Sequence, residues 1–271
     1  MLIALEIGAT VWALTVIWIR LLTPMLSQGV FAVTNYRDLP IGTAMGLAAL
    51  LSVTTATVAF ELLSNDARQG ELVGATVCGW MFGSLGMVDD VAGRGESFGF
   101  RGHLRALRHG KMTSGGVKMF GGLLAGFILT GQRADKLLWV VGACVVALSA
   151  NLINLFDRAP GRACKVSFGW ALLMLVASAD GHPTGAVVVI GLVAALLGGD
   201  LRERFMIGDT GSNMLGALLG LSSLAATKNW YLLLAVLVAL NACSEVVSFS
   251  RVIDRIGLLR WLDRLGSLRA S

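Results

Sequence analysis

The sequence predicts an all-α protein, a polytopic membrane helix bundle of about nine transmembrane helices. Of its 271 residues, 55% are hydrophobic and only 14% are charged, and long apolar blocks alternate with short polar ones. A soluble domain has about 25% charged residues, whereas a bilayer core requires roughly 20 apolar residues per helix. Backbone groups in a bilayer must pair internally, which leaves helices or a closed barrel. Blocks this long and continuously apolar are not typical of barrel strands.

The nine predicted spans follow the apolar blocks. They are Leu2–Leu22, Ile41–Leu63, Glu71–Val88, Ser114–Thr130, Lys136–Ile153, Cys164–Ala179, Gly185–Gly198, Gly211–Ala226 and Trp230–Val247. The first span does not resemble a signal peptide, because it carries Glu6 and its basic residue, Arg20, follows the apolar run. The four cysteines form no Cys-x-x-Cys pair, so we predict neither a disulfide nor a zinc site.

The distribution of basic residues predicts the orientation of the bundle. With nine spans, one set of connections holds only Arg68, Arg133, Lys136 and Lys228, and the other set holds the remaining 18 of the 22 basic residues. Cytoplasmic connections are enriched in Lys and Arg, so we place the N-terminus outside and the C-terminus in the cytoplasm. The net charge of +5 is then a topology signature, and we predict no nucleic-acid partner.

The chain divides into two parts on this interpretation. Residues 1–247 form the transmembrane bundle. Residues 248–271 form a cytoplasmic tail in which basic and apolar residues recur at helical spacing. That pattern predicts an amphipathic helix lying on the inner membrane surface.

A polar stretch, 205–213, lies between two apolar runs. It contains Asp209, which is flanked by glycines and by the hydroxyls of Thr210 and Ser212. The N–H groups and the dipole at a helix start attract anions such as phosphate. A carboxylate there can hold a cation, which can in turn hold phosphate. The alternative is that Asp209 or Thr210 is only a helix N-cap, and the local sequence does not separate the two.

Two adjacent acids, Asp89 and Asp90, end the third span. Carboxylates there are costly, because apolar surroundings and the helix C-terminus both disfavour negative charge. They suit a divalent cation or a cation-bridged phosphate, although both could simply reach interfacial water. Lys118, a few residues into the next apolar run, needs a partner or must extend to water. A phosphate or an acid of the site is the candidate partner.

The fifth span ends in a row of polar residues at helical spacing, Asn151, Asn154 and Asp157. Such a row would suit nucleotide hydroxyls, a base, or the surroundings of a metal. For the asparagines, hydrogen bonding between helices is the alternative. In the first cytoplasmic connection, Arg37 could bind a phosphate and Asn35 a base or sugar. We favour a turn with a topology-setting arginine there.

These stretches together resemble the polyprenyl-phosphate N-acetylhexosamine-1-phosphate transferase superfamily, glycosyltransferase family 4. Its bacterial members include the phospho-MurNAc-pentapeptide transferase and the GlcNAc-1-phosphate transferases of wall polymers. The family's paired aspartate corresponds to Asp89-Asp90, its Asn-x-x-Asn-Leu-x-Asp motif to 151–157, and its Gly-Asp-x-Gly-Ser motif to 208–212. The resemblance covers most of the chain, roughly from Asn35 to Asp254.

The resemblance implies that the protein transfers a sugar 1-phosphate from a UDP-sugar to polyprenyl (undecaprenyl) phosphate, releasing UMP. It implies Mg²⁺, with Mn²⁺ as a substitute, in a bacterial cytoplasmic membrane, for cell-wall or surface-polymer synthesis, and it leaves a homodimer open. The catalytic residues implied are Asp89, Asp90, Lys118, Asp157 and Asp209. The implied metal ligands are Asp90, Asp157 and Asp209. The implied substrate-binding residues are Asn35, Arg37, Asn151, Asn154, Phe205, Thr210 and Ser212.

A rival interpretation is a non-catalytic membrane homologue, such as a lipid-phosphate carrier, a transporter or a complex subunit. Intramembrane acids and basic connections would serve such a protein too. The sequence also departs from the family, because the second acid of Asp-Gly-Leu-Asp-Gly is replaced in 157–161. The family's histidine-rich segment and tenth span are absent as well. A transporter predicts acids along a path at the bilayer midplane, whereas these acids are predicted at one face.

Overall fold

The computed structural model describes residues 2–35, 37–63, 69–92, 100–131, 134–178 and 183–268, and the protein is 82% helical. The helices described are α1 (Leu2–Leu26), α2 (Gly46–Leu63), α3 (Gln69–Ala92), α4 (Phe100–Arg108), α5 (Ser114–Thr130), α6 (Lys136–Phe156), α7 (Arg162–Ala177), α8 (Thr184–Leu201), α9 (Gly208–Ala226), α10 (Trp230–Val246), α11 (Phe249–Arg255) and α12 (Gly257–Arg264). Two short antiparallel strands, β1 (Ala32–Thr34) and β2 (Pro40–Gly42), connect α1 to α2.

The all-α prediction is confirmed. Among the described residues, five helices are long and apolar enough to cross a membrane: α1, α2, α3, α6 and α8. Joining α10 and α11, which meet at 87°, as one broken span makes six. The helices α5, α7 and α10 have 17, 16 and 17 residues. At 1.5 Å per residue they reach only about 25 Å, less than the roughly 30 Å of a bilayer core. Nine spans and the placement of the termini stay predictions, and Arg68, Arg94, Arg133 and Arg269 lie outside the described residues.

Helix α9 is the centre of the bundle. All but four of its 19 residues are buried, the exceptions being Asp209, Leu221, Ala225 and Ala226. It packs against α2, α3, α6, α7 and α8. A helix that is buried on every side has no solvated face from which a carboxylate could reach water. Asp209 in its first turn is therefore placed by the neighbouring helices.

Close backbone contacts bring α2 and α3 against the start of α9. A Cβ atom on Gly86 of α3 would lie 2.1 Å from the carbonyl oxygen of Asp209. A Cβ atom on Gly46 of α2 would lie 2.1 Å from the amide nitrogen of Gly211. Small residues allow such approaches between membrane helices. The last turn of α3, which carries Asp89 and Asp90, is thereby held against the first turn of α9.

The segment that leads into α9 is fixed by backbone hydrogen bonds to the start of α2. Met206 donates to the carbonyl of Gly42 at 2.8 Å and accepts from the amide of Met45 at 3.1 Å. The carbonyl of Ile207 accepts from the amide of Gly46 at 2.9 Å. The residues before Asp209 thus run beside 42–46 like an added strand, which fixes where α9 begins.

The tail forms two short helices, α11 and α12, rather than one. Arg162, buried at the start of α7, donates to both carboxylate oxygens of Asp263 in α12, at 2.7 and 2.9 Å. It also donates to Ser250 Oγ at 2.7 Å. A two-pronged guanidinium–carboxylate contact of this kind is both strong and directional. The tail is therefore docked on α7, while Trp261 and Leu258 remain exposed.

Candidate active site

Lys118 joins two of the predicted acids. It lies in the second turn of α5, and its Nζ donates to Asp89 Oδ2 at 2.8 Å and also to Asp209 Oδ2. The three side chains come from three helices and are 17% to 27% exposed. The sequence requires a partner for Lys118, and the structure supplies two carboxylates. Ser114, at the start of α5, adds a side-chain hydrogen bond to Asp89.

The adjacent acid, Asp90, has a different task. Its Oδ1 accepts from the amide of Asp209 at 2.9 Å. Its Oδ2 accepts from the amide and the hydroxyl of Thr210, at 2.9 and 2.6 Å. The residue at the cap position, Ile207, offers no side-chain bond. Asp90 therefore does for α9, from another helix, what an N-cap side chain does for its own helix.

This arrangement resolves the alternative raised for Asp209 and Thr210. Neither residue caps α9 with its own oxygen, because the unpaired N–H groups of the first turn are satisfied by Asp90. The Asp209 carboxylate is consequently available to Lys118 and to Asp89. The negative charge of Asp90 at a helix N-terminus is also favourable, since the dipole is positive there.

Gly208 is required between the segment and the helix for two reasons. Its φ is +70°, in the left-handed region that side chains rarely adopt. A Cβ atom on Gly208 would also lie 2.8 Å from both Asp90 oxygens and from the amide nitrogen of Ala44. The glycine before Asp209 thus makes room for the carboxylate that caps α9.

The polar row on α6 is split between two neighbours. Asn154 Nδ2 donates to Ser212 Oγ of α9 at 3.1 Å, which joins two predicted substrate-binding residues. Asn151 Nδ2 donates to Asn241 Oδ1 of α10 at 2.7 Å. Asn241 in turn donates to the carbonyl of Leu237 at 2.8 Å. Asn151 therefore pairs two helices, which is the alternative that the sequence left open.

Asp157 follows the last turn of α6 as its C-cap residue. Within the described chain it forms no ion pair with Lys118, which distinguishes it from Asp89 and Asp209. Removal from water raises its pKa well above the usual range, and the nearby carboxylates, foremost Asp200, raise it further. Asp157 is thus near the acid cluster without being joined to it.

Two acids near the site were not predicted from the sequence. Asp200, buried in the last turn of α8, accepts from the amide of Gly161 at 2.9 Å and so fixes the turn after α6. Glu203, also buried, has a φ of +54°. The signal for Asp200 was available, because a carboxylate directly after an apolar run needs a partner.

Glu203 is the partner of the predicted binding residues Asn35 and Arg37. Asn35 Nδ2 donates to Glu203 Oε2 at 2.9 Å, and Arg37 Nη1 lies 3.8 Å from Glu203 Oε1. Asn35 Oδ1 also accepts from the amides of Arg37 and Leu39, at 2.8 and 3.0 Å, as in an Asx turn. This is the turn that we favoured from the sequence. It ties the α1–α2 connection to the segment before α9.

Phe205 is only 4% exposed, and its ring packs over Gly199 of α8. A Cβ atom on Gly199 would lie 2.3 Å from that ring. The ring is therefore held inside the fold against α8, where it acts as a packing residue.

The carboxylates of the site fit a divalent cation only in part. Among the described residues, no group of three or more His, Cys, Asp or Glu side chains is placed to hold a metal. Of the predicted ligands, Asp90 uses both oxygens on α9, and Asp157 is not joined to the others. Mg²⁺ usually takes one or two carboxylates together with substrate phosphates and water. Asp89 and Asp209 fit that requirement as a pair.

A scan of the chain against protein-family models finds no match, and a search of curated proteins finds none either. The family resemblance therefore rests on the short motifs and on the chemistry of the acids and Lys118.

Proposed function

We propose that the protein transfers a sugar 1-phosphate, of the N-acetylhexosamine class, from a UDP-sugar to polyprenyl phosphate and releases UMP. The observation that carries the proposal is the contact of Lys118 with Asp89 and Asp209, which gathers three charged groups from three helices. Charged groups that are largely withdrawn from solvent in an apolar bundle are expensive to keep and are usually functional. All three lie at one end of the bundle, whereas a transport path requires acids along its length.

The proposed topology places this end in the cytoplasm of a bacterial cell, where nucleotide sugars are available. The proposal includes nine spans, with the N-terminus outside and the C-terminus inside. The basic connections would then flank the site and attract both anionic substrates. The lipid phosphate would approach from the inner leaflet and the UDP-sugar from the cytoplasm.

In the proposed reaction, an oxygen of the lipid phosphate attacks the β-phosphorus of the UDP-sugar. A new phosphorus–oxygen bond forms, and the bond from the β-phosphorus to the oxygen of UMP breaks. The nucleophile is already anionic near neutral pH, so Asp89 need not remove a proton. The task of the protein is to orient the two phosphates and to offset their charge. Lys118 carries the positive charge for that task.

Asp89 and Asp209 would hold Mg²⁺, which when bound supplies charge neutralisation to the phosphates. Lys118 would then direct its ammonium group at phosphate oxygens as well as at the carboxylates. Asp90 acts as a positioning residue, because it holds the first turn of α9 and with it Asp209. Asn154 and Ser212, already bonded to each other, would contact the nucleotide sugar.

A non-catalytic membrane homologue is the second candidate. It is favoured by the salt bridges of Lys118 with Asp89 and Asp209, which offset one of the two negative charges without a metal. A carrier or complex subunit could keep such an ion pair to hold α3, α5 and α9 together. The two candidates differ in turnover and not in binding.

The deciding experiment uses the purified full-length protein with polyprenyl phosphate, Mg²⁺ and a panel of UDP-HexNAc donors, with UMP release as the readout. The proposal expects release with at least one donor, and loss of release when Mg²⁺ is chelated or the lipid is omitted. If protein that is folded and binds the lipid releases no UMP with any donor of the panel, the result would favour the non-catalytic homologue.

A further inference from the structure

A groove of about 450 Å³ runs between α1 and α8 and ends at the segment that leads into α9. Its volume falls within the range of about 300–1,000 Å³ for small-ligand sites. Val16, Ile19 and Pro24 of α1 and Ala195 of α8 form apolar walls, and Arg20 and Arg204 also line it. The groove thus combines hydrocarbon surface with two positive charges.

The fold does not hold these two arginines in place as it holds the buried Arg162. Arg162 is buried and bonded to both oxygens of Asp263. Arg20 and Arg204 are exposed, and neither forms an ion pair within the described residues. Arg20 is the only basic residue of α1, with apolar residues on both sides. A guanidinium on an apolar membrane helix is costly unless it reaches water or an anion.

We propose that this groove binds one anionic phospholipid of the surrounding bilayer. The phosphate would contact Arg20 and Arg204, whose planar guanidinium groups match phosphate oxygens in pairs. One acyl chain would lie along the walls formed by Val16, Ile19 and Ala195. Basic pockets between membrane helices are suited to anionic headgroups. Only a molecule that carries both an anion and a hydrocarbon chain complements both halves of the groove.

The position of the groove separates it from the acid site. Helix α1 packs on α2 and α8, whereas Asp89, Lys118 and Asp209 are carried by α3, α5 and α9. A lipid held here would lie beside the proposed active site and not in it. The occupant that we propose is a bilayer phospholipid, and the inference does not depend on transferase activity.

The bound lipid would also stabilise the approach to α9. Phe205 lines the groove. The next residues, Met206 and Ile207, hydrogen-bond to the start of α2, and α9 begins at Gly208. A filled groove restrains Phe205 from one side, while those backbone bonds restrain the segment from the other. Occupancy should therefore raise the thermal unfolding midpoint of the protein.

The test measures binding of phosphatidylglycerol to delipidated full-length protein in detergent, by native mass spectrometry and by the shift in unfolding midpoint. Phosphatidylcholine with the same acyl chains is the neutral comparison. Wild type is expected to prefer phosphatidylglycerol, and the double variant R20Q/R204Q to lose about tenfold or more of its affinity, because two charge-assisted contacts are removed. The matched control is Arg202→Gln, an exposed arginine outside the groove lining, which should bind as wild type does.

A third variant, Ala195→Phe, fills the apolar part and keeps both arginines. It should weaken phosphatidylglycerol binding and leave any binding of inorganic phosphate unchanged. If Ala195→Phe binds the lipid as wild type does, the groove does not hold the chain and the proposal fails. Equal lipid binding by R20Q/R204Q and wild type would overturn it as well. Should the double variant not fold, Ala195→Phe decides the question alone.

Discussion

Asp90 of α3 accepts two hydrogen bonds from Thr210 of α9, one from the amide at 2.9 Å and one from the hydroxyl at 2.6 Å. The neighbouring Asp89 instead contacts Lys118 of α5. Two adjacent aspartates therefore have different tasks. Asp90 holds the start of the central helix, and Asp89 belongs to the charged group that the proposed reaction uses. Substitutions at the two positions should therefore have different effects.

Replacing Asp90 with Ala should lower stability first. The substitution leaves the amides of Asp209 and Thr210 without their acceptor, at a cost of about 1–3 kcal/mol in the free energy of unfolding. Thermal unfolding in detergent measures the loss. Asp89→Ala is the comparison, and it should cost less because Lys118 keeps Asp209 as a partner. Equal losses for the two variants would contradict the division of roles.

Replacing Lys118 with Met should reduce UMP release by about 100-fold or more, the usual effect of removing a group that offsets transition-state charge. The substitution also leaves Asp89 and Asp209 facing each other without a cation. Lys111→Met is the control, since Lys111 is an exposed basic residue of the connection before the same helix. Comparable turnover in both variants would remove Lys118 from the proposed mechanism.

Replacing Asp209 with Asn should abolish Mg²⁺-dependent UMP release, because Asn is neutral and a weaker ligand for a hard cation. The matched control is Asp135→Asn. Asp135 caps α6 by accepting from the amides of Leu137 and Leu138, and Asn is an equally good cap. Near-normal turnover of the Asp209 variant, with Mg²⁺ dependence retained, would refute the assignment.

Replacing Gly208 with Ala should destabilise the site by about 1–3 kcal/mol, through strain at positive φ and through crowding of the Asp90 carboxylate. Gly257→Ala is the control, because a Cβ atom there meets nothing within 4 Å. Thermal unfolding of the two variants measures the difference. If both behave as wild type does, the approach of Gly208 to Asp90 is not needed for the fold.

The proposed topology predicts that the connections before α5 and before α10 lie on opposite sides of the membrane. Cysteines introduced at Lys111 and Lys228, both exposed, report the two sides, with exposed Cys243 changed to Ser. A membrane-impermeant thiol reagent added to intact cells should label Lys228→Cys and spare Lys111→Cys. Labelling of both from outside, or the reverse pattern, would overturn the orientation.

The spacing of motifs predicts the groups that meet at the site and not their individual contacts. Residues next to each other on a helix point about 100° apart, so Asp89 and Asp90 cannot make the same contacts. Which of them caps α9 depends on the rotation of α3, and that rotation is constrained by the close contact of Gly86 with the backbone of Asp209. The contact joins residues far apart in the chain, and no local pattern reports it.

By itself, the sequence determined that this is a helical, apolar, multi-pass chain. It also determined that Asp89, Lys118 and Asp209 need polar partners, because burial of charge is costly wherever it occurs. Only the tertiary structure decided that Lys118 would contact two acids and that Asp90 would cap α9. It also decided that Asn35 and Arg37 would have Glu203 as their partner. Composition and periodicity report the environment of a residue. Its partners depend on how helices distant in sequence are packed and rotated against one another.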